Sequence, residues 1–162
     1  MKKIFKIIAT MFAATVLLSA CEQETYDPNL TVAPGGGTIT TFKAYTLAPA
    51  TPDDVYGRVV FYKYSPKVTL VQVGLYNTLE GSNYTAAIFN GALIGASPTV
   101  LIPLDDVDGA TGAFGSNKYF VISSDGFYDA LNDYDANVKI MLESSTVSEG
   151  DIGANADPVE EK

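Results

Sequence analysis

Histidine and tryptophan are missing from this chain, and cysteine occurs once in 162 residues. Without an imidazole there is no Ser-His or Cys-His pair to activate a nucleophile, and no His-based zinc or copper site. A bound metal would rest on carboxylates and backbone oxygens, which restricts the candidates to hard ions such as calcium. A single cysteine closes no disulfide within the chain. Basic residues are also scarce: Lys and Arg number 10 against 19 Asp and Glu, a formal net charge of −9. Phosphate backbones are bound by clusters of Lys and Arg, so nucleic acid is excluded as a partner. Cations, neutral glycans and basic protein patches are the classes left open.

What is present begins with location. Lys2, Lys3 and Lys6 precede an uncharged run from Ile7 to Ala20. A positive start, an apolar stretch and small residues form the layout of a secretory signal. The run falls short of the ~20 residues that cross a bilayer as a helix. A buried core helix would need a polar face, and Ile7, Ile8, Met11, Phe12, Val16, Leu17 and Leu18 leave none. The run ends in Leu18-Ser19-Ala20-Cys21, which resembles the bacterial lipobox. The resemblance implies a lipid on Cys21 and cleavage before it. Each buried CH2 of such a lipid contributes ~0.8 kcal/mol, and stable anchoring takes more than one chain. Glu22 and Glu24 follow the cysteine and resemble the acidic export signal of Bacteroidetes-type lipoproteins. That implies display on the outer face of the outer membrane; an inward, periplasmic orientation is the alternative.

Organisation along the chain follows from punctuation. Residues 21–37 carry Pro28, Pro34 and Gly35-Gly36-Gly37 and read as a flexible tether. Short β-type runs then dominate: 38–47, 57–65, 67–76, 84–90, 98–104, 118–124 and 137–144. In the third, Thr69, Val71, Val73 and Leu75 share one face; in the last, Val138, Ile140 and Leu142 alternate with Lys139 and Glu143. Clusters such as Glu80-Gly81-Ser82-Asn83 and Asp108-Gly109 separate the runs. Regular short strands with such turns predict an all-β, antiparallel sandwich or barrel over residues 38–156. Phe127, Ala130, Leu131 and Tyr134 stand at i, i+3, i+4 and i+7, predicting one short helix over 124–135. Residues 157–162 read as a frayed polar tail. A signal-peptide helix precedes the whole.

Three stretches carry a family resemblance. "GRVVF" resembles an opening strand, "GLYNTLEGSNYTAAIFNGALIG" a strand, a loop and a strand, and "DGFYDALNDYDANVKIML" a helical turn and penultimate strand leading to a closing strand at "EGDIGANAD". From about Gly57 to Ala156 the chain resembles a CHRD (chordin-type) domain. The resemblance implies an antiparallel immunoglobulin-like or superoxide-dismutase-like β-sandwich, with no settled activity among bacterial members. The family's paired histidines are replaced by Ala87 and Phe89, a third by Met141, and the closing arginine by Gly153. Any polar or metal site those histidines build is missing here, and the apolar replacements are expected to pack.

Three acidic places compete for function. Asp105, Asp106 and Asp108 precede Gly109, and acids clustered on a turn can chelate calcium. "DYDAN" (133–137) begins like a calcium loop but has Val138 at the glycine position and Ser144 at the bidentate glutamate position. Glu149 and Asp151 form a third group. Asp also favours turns for geometric reasons alone. Paired acids could serve glycoside hydrolysis across a cleft, but a domain this small leaves little room for one, and the expectation is a non-catalytic protein. The chain has 10 tyrosines, of which Tyr56, Tyr62, Tyr64, Tyr76 and Tyr84 cluster in the first half; Tyr62 and Tyr64 share a face opposite Phe61, and exposed aromatics anchor sugars or proteins. Half-buried strand surfaces also favour Tyr. The sequence thus points to a lipid-anchored envelope module, surface-exposed and binding a glycan or a protein. A periplasm-facing structural lipoprotein and a calcium-assisted adhesin are the alternatives.

Overall fold

Alternation decides which way each strand faces, and the strand β2 (Tyr56–Ser65) shows it plainly. Val59 and Phe61 are fully buried, while Tyr56, Arg58 and Tyr64 are exposed. The computed structural model describes residues 38–94 and 99–162, so the stretches expected to be a signal-peptide helix and a tether lie outside the described residues. Within them the fold is all-β and antiparallel. β1 (Phe42–Pro49), β2 and β3 (Val68–Tyr76) form a meander, extended by β8 (Phe120–Ser123). A second sheet holds β4 (Asn83–Asn90), β9 (Asp135–Leu142) and β10 (Ser145–Gly153), with β5 (Thr99–Pro103), β6 (Val107–Asp108) and β7 (Ala113–Phe114) beyond β4.

Two joints turn these sheets into a nearly closed sandwich. β1 belongs to both: Phe42 to Leu47 pair with β2, and Ala48 and Pro49 pair with Glu149 and Ser148 of β10. On the other side, Leu75 of β3 donates its N–H to the Gly112 carbonyl at 2.7 Å, next to β7. Gly112 has φ +66°, and a Cβ there would lie 2.2 Å from the Leu75 oxygen. Only glycine supplies both the left-handed backbone and the close approach. Side chains from both sheets fill the space between: Tyr45, Leu47, Val59, Phe61, Val71, Val73, Ile88, Val107, Val138, Ile140 and Ile152. Burying each of the larger ones contributes about 1.5–3 kcal/mol.

A satellite core sits on the outer side of the first sheet. Ile39, just before β1, packs with Leu70 and Tyr119, joined by Tyr62 and Val68. The incoming chain is therefore clasped against the sheet before it becomes a strand.

Two expectations are corrected. The helix expected over 124–135 shrinks to consecutive turns and a 3-10 turn at Leu131–Asp133. One α-type bond forms, Ala130 N–H to the Gly126 carbonyl at 3.0 Å, and the following bonds span only three residues. Gly126 at φ +70° and the Asn132-Asp133 pair, poor helix formers, fit the short form. Phe127, Tyr128 and Leu131 bury instead of an α-helical stripe. The tail is not frayed. Its Glu160–Glu161 strand, β11, pairs with β1 at Lys43 and Ala44. Val159 N–H reaches the Ala44 carbonyl at 2.8 Å, and Lys162 exchanges two bonds with Phe42.

Candidate functional site

Strand registers define two ends. Phe42, Leu70, Asn90, Asp135 and Gly153 lie at the end where the chain enters β1. At the opposite end run the links 50–55, 77–82, 109–112 and 143–144. That far end holds a cavity of about 300 Å³, lined by Asp53, Asp54, Val55, Asn77, Leu79, Tyr84, Leu142 and Val147. It is the mouth of the sandwich: Val55, Tyr84 and Val147 belong to the main core, and Leu142 packs against it. The mouths of β-barrels are recurrent ligand sites, and this sandwich is nearly closed in the same manner.

The loops around the mouth are held by specific bonds. The Asp54 carboxylate accepts the Val55 N–H at 2.9 Å and the Thr51 hydroxyl at 3.3 Å. Asn77 donates its side-chain amide to the Asp53 carbonyl, tying link 50–55 to link 77–82. Tyr84, fully buried, accepts the Leu79 N–H on its hydroxyl at 2.9 Å. A tyrosine bonding back to the backbone a few residues upstream is how sandwich crossovers are pinned between sheets. Among the described residues, the non-glycine residues with positive φ are Asp53 (67°), Asn77 (62°) and Glu143 (56°). All three sit in the links of this end. Such backbone concentrates where loops are shaped for a purpose.

Beside the mouth, Tyr56 and Tyr76 face each other across β2 and β3, stacked at 5.5 Å and 24°, and half or more exposed. Below them the outward face is low. A Cβ at Gly74 would meet nothing within 4 Å, and Arg58 lies alongside, paired with Glu160 at 3.4 Å.

The tyrosines singled out from sequence fare differently. Tyr62 is half-buried in the satellite core, edge-on to Tyr119 at 5.6 Å, and donates its hydroxyl to Gln72 at 3.1 Å. Burial, then the neighbouring Tyr119, raises its pKa. Tyr64 is exposed. The pair beside the mouth, Tyr56 and Tyr76, was legible by parity. Tyr56 shares the face of Tyr62 and Tyr64, and Tyr76 lies opposite the buried Val71, Val73 and Leu75.

The acids disperse into separate bonds. Asp105 accepts the Ser116 hydroxyl at 3.2 Å, Asp106 the Asn83 amide at 2.8 Å, and Asp108 the Ala110 N–H at 2.6 Å. No group of three acidic side chains placed to hold a metal occurs among the described residues. Asp135 takes the Asn155 amide, Glu149 the Lys139 ammonium and Asp151 the Leu93 N–H. Cys21, Glu22 and Glu24 lie outside the described residues. Ala87 and Phe89 are buried, and Met141 is half-buried on the neighbouring strand.

A second cavity, about 370 Å³, lies on the flank between Leu70, Asp105 and residues 117–121. Though larger, it adjoins the satellite core that clasps the incoming chain, and no left-handed loop residue shapes it. The mouth has both the loop geometry and the aromatic pair. No protein-family model, no curated protein and no solved structure matches the chain.

Proposed function

We propose that this chain is a lipid-anchored, non-catalytic binding module of the bacterial outer membrane, CHRD-like in type and exposed at the cell surface, with the sandwich mouth as its binding end. One observation carries the reading: the cavity and the Tyr56–Tyr76 pair lie at the end opposite the one where the chain enters β1. A lipid on Cys21 would act on the domain through the chain that enters β1, and the mouth lies at the other end of that strand. The low face at Gly74 gives a partner room beside the aromatic pair.

Two measurements test it. Mass analysis of the purified protein should find acyl chains on Cys21, lost in Cys21→Ser together with membrane fractionation. Protease added to intact cells should cleave the domain while a periplasmic control survives. Protection would turn the reading to a periplasm-facing structural lipoprotein, and an unmodified Cys21 would end it.

A further inference from the structure

The mouth also indicates what kind of partner it takes. Its floor is apolar, with Val55, Leu142 and Val147 beneath an exposed Leu79. The four links around it carry Asp53, Asp54, Glu80 and Glu143 and no lysine or arginine. Among the described residues no cation pairs with any of these acids; Arg58, Lys63 and Lys139 are engaged with Glu160, Asp129 and Glu149 elsewhere. The exposed rings of Tyr56 and Tyr76 stand at the side. An apolar slot with an acidic rim and adjacent aromatic faces matches a group with a hydrocarbon stem and a cationic head. Lysine and arginine side chains have that form: the stem lies along apolar surface while the charge stays at the edge. Aromatic faces attract such a head.

We infer that the mouth binds a basic peptide segment of a partner protein, seating a Lys or Arg stem against Val55, Leu142 and Val147, with its charge at Asp53. This rests on the mouth being the binding end. The chain's net charge of −9 draws basic partners in and makes the association salt-sensitive.

The test titrates the 15N-labelled chain with acetylated, amidated tetralysine, following backbone amides by NMR. Tetraglutamate and maltohexaose serve as comparators. Tetralysine should shift Asp53, Val55, Asn77, Leu79 and Glu143 saturably, and more weakly as salt rises from about 20 to about 200 mM. Asp53→Asn should weaken binding about threefold or more and leave the fold intact, because asparagine adopts the left-handed backbone of Asp53 as readily. Asp125→Asn, at the opposite end, should change nothing. Shifts spread over the whole acidic surface, indifference to Asp53→Asn, or no shift with tetralysine would overturn the inference. Maltohexaose shifting the same residues would overturn the basic-peptide assignment while leaving the mouth as the binding end. Neither result touches anchoring at Cys21, which mass analysis decides separately.

Discussion

Tyr84 and Tyr128 show how much depends on where a hydroxyl points. Tyr84 uses its hydroxyl to satisfy the Leu79 N–H, so Tyr84→Phe leaves a donor without its partner. It should cost about 1–2 kcal/mol in urea unfolding and loosen link 77–82, read as faster amide exchange at Leu79. The Tyr128 hydroxyl is buried and has no partner among the described residues, while its ring lies 5.0 Å from the Lys43 ammonium. Tyr128→Phe keeps the ring, drops the orphan hydroxyl, and should leave stability at neutral pH equal or higher by up to about 1 kcal/mol. Burial pushes the Tyr128 pKa up to about 12 from 10.0. A raised folded pKa means the native state holds the proton more tightly. Its stabilising contribution is therefore complete below pH 10 and is lost as pH climbs toward 12. Melting temperatures of the parent should fall across that window, and Tyr128→Phe should flatten the fall. Neither role is visible in the sequence, where both residues are simply aromatic; the fold turns the Leu79 N–H back onto Tyr84 and brings Lys43 of β1 over the Tyr128 ring.

Elements were legible to the degree that their side chains alternate. β2, β3 and β9 follow from Val59 and Phe61, from Val71, Val73 and Leu75, and from Val138 and Ile140, whose spacing matches the pleat. β10 does not alternate hydrophobically. Its buried residues include Ser148 and Gly150 beside Val147 and Ile152, and only the family resemblance implied a closing strand there. Gly150 is required because a Cβ would lie 2.1 Å from the Thr46 oxygen where β10 meets β1. β11 was invisible for another reason. Its glutamates stay exposed, and it is held by backbone bonds to β1 with help from Lys43, whose buried ammonium donates to Asn132 at 2.9 Å and lies 3.8 Å from Glu161. Composition reports none of this. Deleting residues 157–162 should therefore cost about 2–4 kcal/mol, on the scale of several backbone bonds at 0.5–1.5 kcal/mol each. The same deletion should speed amide exchange at Phe42, and a melting curve unchanged by it would contradict the role given to β11. The mouth was the least legible part, because it is made of four links far apart in sequence that only the closed sandwich brings together.

At the scale of the whole molecule, net charge of −9 sets a repulsion that folding must overcome. Raising ionic strength screens it, so the melting temperature should rise by a few degrees between about 10 mM and about 500 mM salt. A flat response would mean the acids are too dispersed to repel. The all-β class was readable from the spacing of short runs and turns, and the acidic surface from composition; the placement of the two ends was not, since it depends on the register of β1 against β2 and β10. That placement has a mechanical consequence. β1 leads from the entering chain toward the mouth and is bonded on both flanks, to β2 on one side and to β10 and β11 on the other. A pull between the N-terminal side and a partner held at the mouth runs along β1 rather than across it. The ladder is then loaded in shear, its bonds sharing the force together instead of parting one at a time, and the partner should let go before the domain gives way.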